Sequence, residues 1–176
     1  MIMRAFFRIT LITLLSTFFA CQSIGAQANP IVTTIYSLEQ IDQMHRDHRM
    51  AHPRNAYPPQ NISAKFAKDF SNVRDVDWEK SNIFYEVEFE ISRMDYDAYY
   101  DMEGNLVMYK CEIHESDLPA VVRNAALAKH PNFKFDDVDK VVKGNQTFYN
   151  VKLEKGKLEV KIVMQHDGTI ISEYFD

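Results

Sequence analysis

Three histidines at spacings of three and four, His45, His48 and His52, are the residues in this sequence best placed to do chemistry. On a helix they would share a flank, and imidazoles grouped in this way suit zinc or copper. Pro53 follows directly, no Cys or Glu joins the cluster, and Arg46 and Arg49 add repulsion for a cation. A polar, histidine-rich linker is therefore the preferred reading, with metal binding by His45, His48 and His52 as the weaker candidate. The acidic pairs Asp95/Asp97 and Asp101/Glu103 lack the loop glycine and ligand spacing of an EF-hand, and solvated charge accounts for them. His114 and His166 have no nucleophile pattern around them, and the G-x-S-x-G, P-loop and H-E-x-x-H motifs are absent. Cys111 has no His/Asn or Cys-x-x-Cys partner and reads as a small hydrophobe in a strand. The expectation is a protein with no catalytic residue and no cofactor.

The elements that would position any site come from a repeat. Phe84 to Glu112 returns without a gap as Phe148 to Asp176, 64 positions later. Phe84 meets Phe148, Tyr85 meets Tyr149, Val87 meets Val151 and Gly104 meets Gly168, while Phe89/Leu153, Tyr96/Val160 and Leu106/Ile170 exchange one apolar residue for another. A match at fixed period marks a duplicated unit.

Within each copy the apolar residues alternate, as in Tyr85, Val87, Phe89 and Ile91 against Glu86, Glu88 and Glu90. That period of two predicts a sheet with one face on a core and the other in water. Tight turns fall at Ser92-Arg93, Glu103-Gly104-Asn105, Gly156-Lys157 and Asp167-Gly168. Ahead of each copy lies a helix. Ile62, Phe66, Phe70 and Val73 form one stripe with Asn61 as cap. Asp117 caps the second helix, with Pro119 in its first turn and Leu118, Val121, Val122 and Ala125 on its apolar side. Trp78 is expected inside with Val76. The fold class is α+β: two tandem α-β-β-β-β repeats with their helices on one face of an antiparallel sheet.

The expected domains are an export signal over 1–28, an arm and linker over 29–60, a first repeat over 61–114 and a second over 115–176. Arg4 and Arg8 precede an apolar stretch, Leu11 to Ala20, and Ala26-Gln27-Ala28 offers a cleavage site. The apolar run is short for a membrane span, so the mature chain is expected to carry no transmembrane segment. The expected location is the periplasm or the medium, with lipid anchoring through Cys21 as the alternative. In the arm, Ser37-Leu-Glu-Gln40 fits a capping box for a helix ending near Met50, with Leu38, Ile41 and Met44 or His45 as a weak apolar face. AHPRNAYPPQN then reads as a linker. Asn61-Ile-Ser63 and Asn145-Gln-Thr147 fit a glycosylation sequon, a pattern short enough to arise by chance.

The formal net charge of -5 argues against a general nucleic-acid binder, which needs a basic stripe. The charge is also unevenly placed. Residues 75–112 carry 11 acidic and 3 basic side chains, whereas residues 139–176 carry six of each. That asymmetry motivates a site on the outer face of the first copy, with Phe84, Glu86, Glu88, Tyr99, Asp101 and Tyr109 meeting an unidentified protein partner, in one version through a basic surface. The competing reading is that these charges keep a wet face soluble.

The helix, Asp77-Trp78, FYEVEF, the Glu103-Gly104-Asn105 turn and Asp117-Leu118-Pro119-Ala120-Val121 together resemble the PepSY-like, β-lactamase-inhibitor-like envelope proteins. The resemblance covers about Ile62 to Asp176. Ser71 stands where the family usually has a proline, and Trp78 is matched at the repeat period by Val142, so only the first copy has the aromatic anchor. The resemblance implies an exported, non-enzymatic domain with a broad sheet face. Relatives of this shape include a protein that lays that face over a β-lactamase and propeptide domains thought to restrain peptidases. The alternative function is a metal- or small-ligand-binding periplasmic protein, using the histidine arm or a groove between the repeats.

Overall fold

The computed structural model describes residues 30–175, so the expected export signal over 1–28 and Cys21 lie outside the described residues. The chain forms α1 (Leu38–Met50), β1 (Arg54–Asn55), α2 (Gln60–Asp69), β2 (Arg74–Lys80), β3 (Phe84–Ile91), β4 (Met94–Asp101), β5 (Leu106–Glu112), α3 (Ala120–Lys129), β6 (Lys134–Lys143), β7 (Gln146–Lys155), β8 (Leu158–Gln165) and β9 (Ile170–Phe175). The strands make one nine-stranded sheet in sequence order, antiparallel throughout, and the β5–β6 pair joins the two copies across α3. This is the α+β architecture expected, with β1 added from the proline-rich linker.

The inner face carries two cores. In the first copy, Ile62, Phe66 and Phe70 of α2 and its exit pack on Tyr85, Val87, Phe89, Ala98 and Tyr100. In the second, Leu118, Val122 and Ala126 pack on Tyr149, Val151, Leu153, Val160, Ile162 and Met164. Alternation along β3 and β7 places these side chains together. Removal of such side chains from water, worth roughly 1.5–3 kcal/mol each, holds the helices on the sheet.

Several local expectations are corrected. α2 begins after Pro59 rather than at an Asn61 cap, and Asn61 instead donates to the Glu103 carbonyl oxygen at 3.5 Å. Asp117 falls in a 3-10 turn, Glu115–Asp117, and Pro119 takes the cap position of α3. Val121 is exposed while Ala126 is buried, a rotation of the helix stripe by about one position. Trp78 packs edge-on to Phe66 at 5.3 Å, but the register shift between Arg74 and Asp77 turns Val76 into solvent.

The turns match their residues. Ser92 and Arg93 both have positive φ (54° and 69°), the geometry of a two-residue hairpin turn. Gly168 has φ 89°, and a Cβ there would stand 3.0 Å from the Val121 carbonyl oxygen, on the backbone of α3. Both the dihedral and the space require glycine. Gly168→Ala is expected to destabilise the protein by more than about 1 kcal/mol, read as a shift in urea midpoint, whereas Gly156→Ala, which meets no atom within 4 Å, carries only the dihedral cost.

Candidate functional site

The outer face of the first copy is not open. α1 lies across it, and Ile41, Phe84, Tyr99, Val107 and Met108 form a third apolar cluster with Met44, Tyr36 and Ile83 at its border. The capping box is present: Ser37 accepts from the Gln40 amide, and the Gln40 side chain accepts from the Ser37 amide. Ile41 and His48, seven apart, are the two buried residues of the helix.

Beneath α1 runs a directed polar chain. Ser81 Oγ accepts from the amides of Ile83 and Phe84, so its proton is free to be donated to His48 Nδ1 at 2.6 Å. His48 Nε2–H then donates to Glu86 Oε2 at 2.7 Å. The Tyr99 hydroxyl donates to the other oxygen, Oε1. With that proton committed, His45 Nε2–H donates to the Tyr99 oxygen at 3.2 Å. One carboxylate therefore gathers two donors and orders two imidazoles.

The electrostatics follow. Burial raises the Glu86 carboxyl, but the hydrogen bonds from His48 and Tyr99 outweigh it and hold the group below its ordinary range. Burial, with Arg49 and Lys143 nearby, pushes His45 down to about 4. Burial and the Glu86 charge push the Tyr99 phenol far up.

The residues expected to meet a partner are thus placed differently. Phe84 and Tyr99 are buried under α1. Tyr109 is on the inner face, because a register shift between Tyr99 and Tyr100 sets it opposite Ala98. Asp101, 2% exposed, accepts from the amides of Glu103 and Asn105, from Asn105 Nδ2 and from the Tyr36 hydroxyl. Glu86 is half-buried in the chain described above, and Glu88 alone of the six is exposed. The acidic excess is also engaged internally, with Arg74 on Glu90 at 2.5 Å and Lys110 on Asp97 at 2.7 Å.

His45, His48 and His52 do not converge. His48 has both ring nitrogens hydrogen-bonded, His45 faces Tyr99, and His52 is exposed beyond the helix with φ 52°. Among the described residues no three metal-ligating side chains gather. Cys111 is buried, and burial pushes its thiol up to about 11, the behaviour of an inert core cysteine.

The open part of the outer face belongs to the second copy. Val141, Phe148, Val163 and Ile171 line a groove of about 400 Å³ whose other wall is α1, through Asp42, His45 and Arg49. Lys143 pairs with Asp42 across the seam at 2.5 Å. Farther along, Tyr174 is 51% exposed and Ile171 49%. The sequence suggests a groove between the repeats but not its lining, which takes in Tyr99 and Met108 of the first copy as well as α1. Its signal was there, in apolar residues at outward positions of β6 to β9.

The family model that describes beta-lactamase-inhibitor-like, PepSY-like proteins matches residues 44–108 and again 107–172. The chain belongs to the PepSY-like family. The two tandem matches agree with a two-repeat fold; the first takes in part of α1, and the second begins within β5. No curated protein gives a significant match. Among solved structures, a protein from Bacteroides eggerthii described as periplasmic is 17% identical, with a TM-score of 0.61 over 68% of this chain and 90% of that one. A BLIP-like protein from Bacteroides fragilis is 22% identical, with a TM-score of 0.58 over 68% of this chain and 87% of that one. At these identities the likeness is one of fold. Among the described residues no helix is long and apolar enough to cross a membrane.

Proposed function

We propose that this PepSY-like chain is an exported, non-enzymatic binding protein of the inhibitor-like kind, which meets a protein partner with the open half of its outer sheet face. One observation carries the reading. α1 covers the first copy's face within the molecule, whereas Val163, Ile171 and Tyr174 of the second remain accessible in an apolar stripe beside a groove. Apolar and aromatic side chains in a partly concave setting are the usual anchors of a protein interface. The family's inhibitor-like description and the BLIP-like structural neighbour support the same class.

The test is capture from an envelope extract with tagged mature protein. One stoichiometric partner is expected, lost on the double substitution Ile171→Asp with Tyr174→Asp and kept on Val121→Asp, which lies on the other side of the sheet. Retention by the double variant, or equal loss with Val121→Asp, contradicts this use of the face.

A second reading has its own observation: a volume of about 400 Å³ is within the range of small-ligand sites. Native mass spectrometry of the purified protein, with metal analysis, separates the two. A bound small molecule or metal with no protein partner favours the second.

A further inference from the structure

We propose that the open half-face is a seat for an amphipathic helix supplied by another protein, laid against the sheet beside α1. This rests on the reading that the open half-face meets the partner, and it specifies what the partner presents.

The duplication shows what shape fits. The 64-residue period carries Phe84, Glu86, Tyr99 and Val107 onto Phe148, Asn150, Val163 and Ile171. In the first copy those positions lie under a 13-residue helix, packed through Ile41, Met44, His45 and His48. In the second copy the same positions line the groove, with Phe148 and Val163 half-buried and Ile171 exposed. An extended strand gains little here, since a sheet face offers side chains and no unpaired backbone; strand addition belongs to an edge.

The substitutions between copies define the helix that fits. Glu86 is the carboxylate that gathers His48 and Tyr99, and Asn150 replaces it, so the incoming helix needs no histidine. Val163 and Ile171 in place of Tyr99 and Val107 favour aliphatic side chains at helical spacing. The wall made by α1 sets the flank. Asp42 is taken by Lys143, whereas Arg49 is exposed and has no ion partner among the described residues. The helix therefore carries Asp or Glu along the side that faces α1. α1 of a second copy is disfavoured as occupant, because its seven-residue-spaced Ile41 and His48 are already bound to its own sheet.

The test uses the mature protein and four labelled 13-residue peptides, read by fluorescence anisotropy. One has leucines at i, i+4, i+7 and i+11 with glutamates on one flank; one replaces the glutamates by lysines; one is a scramble; one is Leu38–Met50 itself. The glutamate-flanked helix is expected to bind at least about tenfold tighter than the scramble, and Ile171→Asp to remove that advantage. Arg49→Glu is expected to weaken the glutamate-flanked peptide by about three- to fivefold and to strengthen the lysine-flanked one. Both positions are exposed, and unchanged unfolding midpoints confirm that the variants fold.

Equal binding of helix and scramble, or binding indifferent to Ile171→Asp, overturns the proposal. Tightest binding by Leu38–Met50 assigns the seat to a second copy and also overturns it. If no peptide binds while Ile171→Asp with Tyr174→Asp still releases the captured partner, the helix falls and the open-face reading stands.

Discussion

Phe84→Ala is expected to destabilise the protein by about 3–5 kcal/mol, measured by urea unfolding. Phe84 is fully buried between α1 and the sheet, in ring contact with Tyr99 at 5.9 Å and His48 at 5.9 Å. Truncation removes those contacts and leaves a cavity that α1 cannot fill without losing the bonds of His48. The same residue on an open face would change stability by well under 1 kcal/mol and affect binding instead. A loss of stability localised to α1, with amides of residues 41–50 exchanging faster, separates a covered aromatic from a partner anchor.

Glu86→Ala is expected to cost about 3 kcal/mol, for a different reason. It leaves His48 Nε2–H and the Tyr99 hydroxyl without an acceptor beneath a helix, and unsatisfied buried donors are expensive. Glu86→Gln keeps an acceptor for one of the two and is expected to cost about half as much.

The same cluster makes α1 sensitive to acid. Glu86 has a folded pKa below its unfolded value, so its stabilisation is present at neutral pH and is lost as pH falls through the folded value. His45 titrates near 6.5 when unfolded and at about 4 in place, so below about 6.5 the unfolded chain gains a proton that the folded one refuses. The Glu86 contribution is lost only at lower pH, from about 4.5 downward, and the His45 contribution weakens the folded state as pH drops from about 6.5 toward 4. His45→Gln is expected to flatten that part of the stability profile, and an unchanged slope would contradict the assignment.

The repeat, its hairpin turns and the inner faces of the strands were legible in the sequence because each rests on local pattern. Period two in Tyr85, Val87 and Phe89, and glycine at positions 104 and 168, state their geometry directly. What α1 covers was not legible. Its contact face mixes Ile41 with two histidines, and those histidines are satisfied by Ser81, Glu86 and Tyr99, some 33 to 54 positions away. No local pattern reports such a partner. One clue was available: Phe84 and Tyr99 are large aromatic residues on a face otherwise read as wet, and such groups on a wet face call for a cover.

Tyr109 was misplaced for a separate reason. A single extra residue in β5, at the register shift opposite Tyr99 and Tyr100, changes which side its neighbours take. The sequence pattern alone reads Asp101 as solvated charge. Instead it closes the β4–β5 turn by accepting two backbone amides, a local role of the kind short acidic side chains often fill. The corrected surface moves the candidate site from the acidic first copy to the balanced second.

That relocation depends on α1 being held against the first copy in solution. Nuclear Overhauser contacts of the Ile41 methyls and the His48 ring with Phe84 and Tyr99 test it most directly. Strong cross-peaks to both aromatic rings, with the Ile171 methyls showing none to α1, are the expected result. Random-coil shifts throughout Leu38–Met50, with solvent contact at Phe84 and Tyr99, would contradict it and return the first copy's face to the surface.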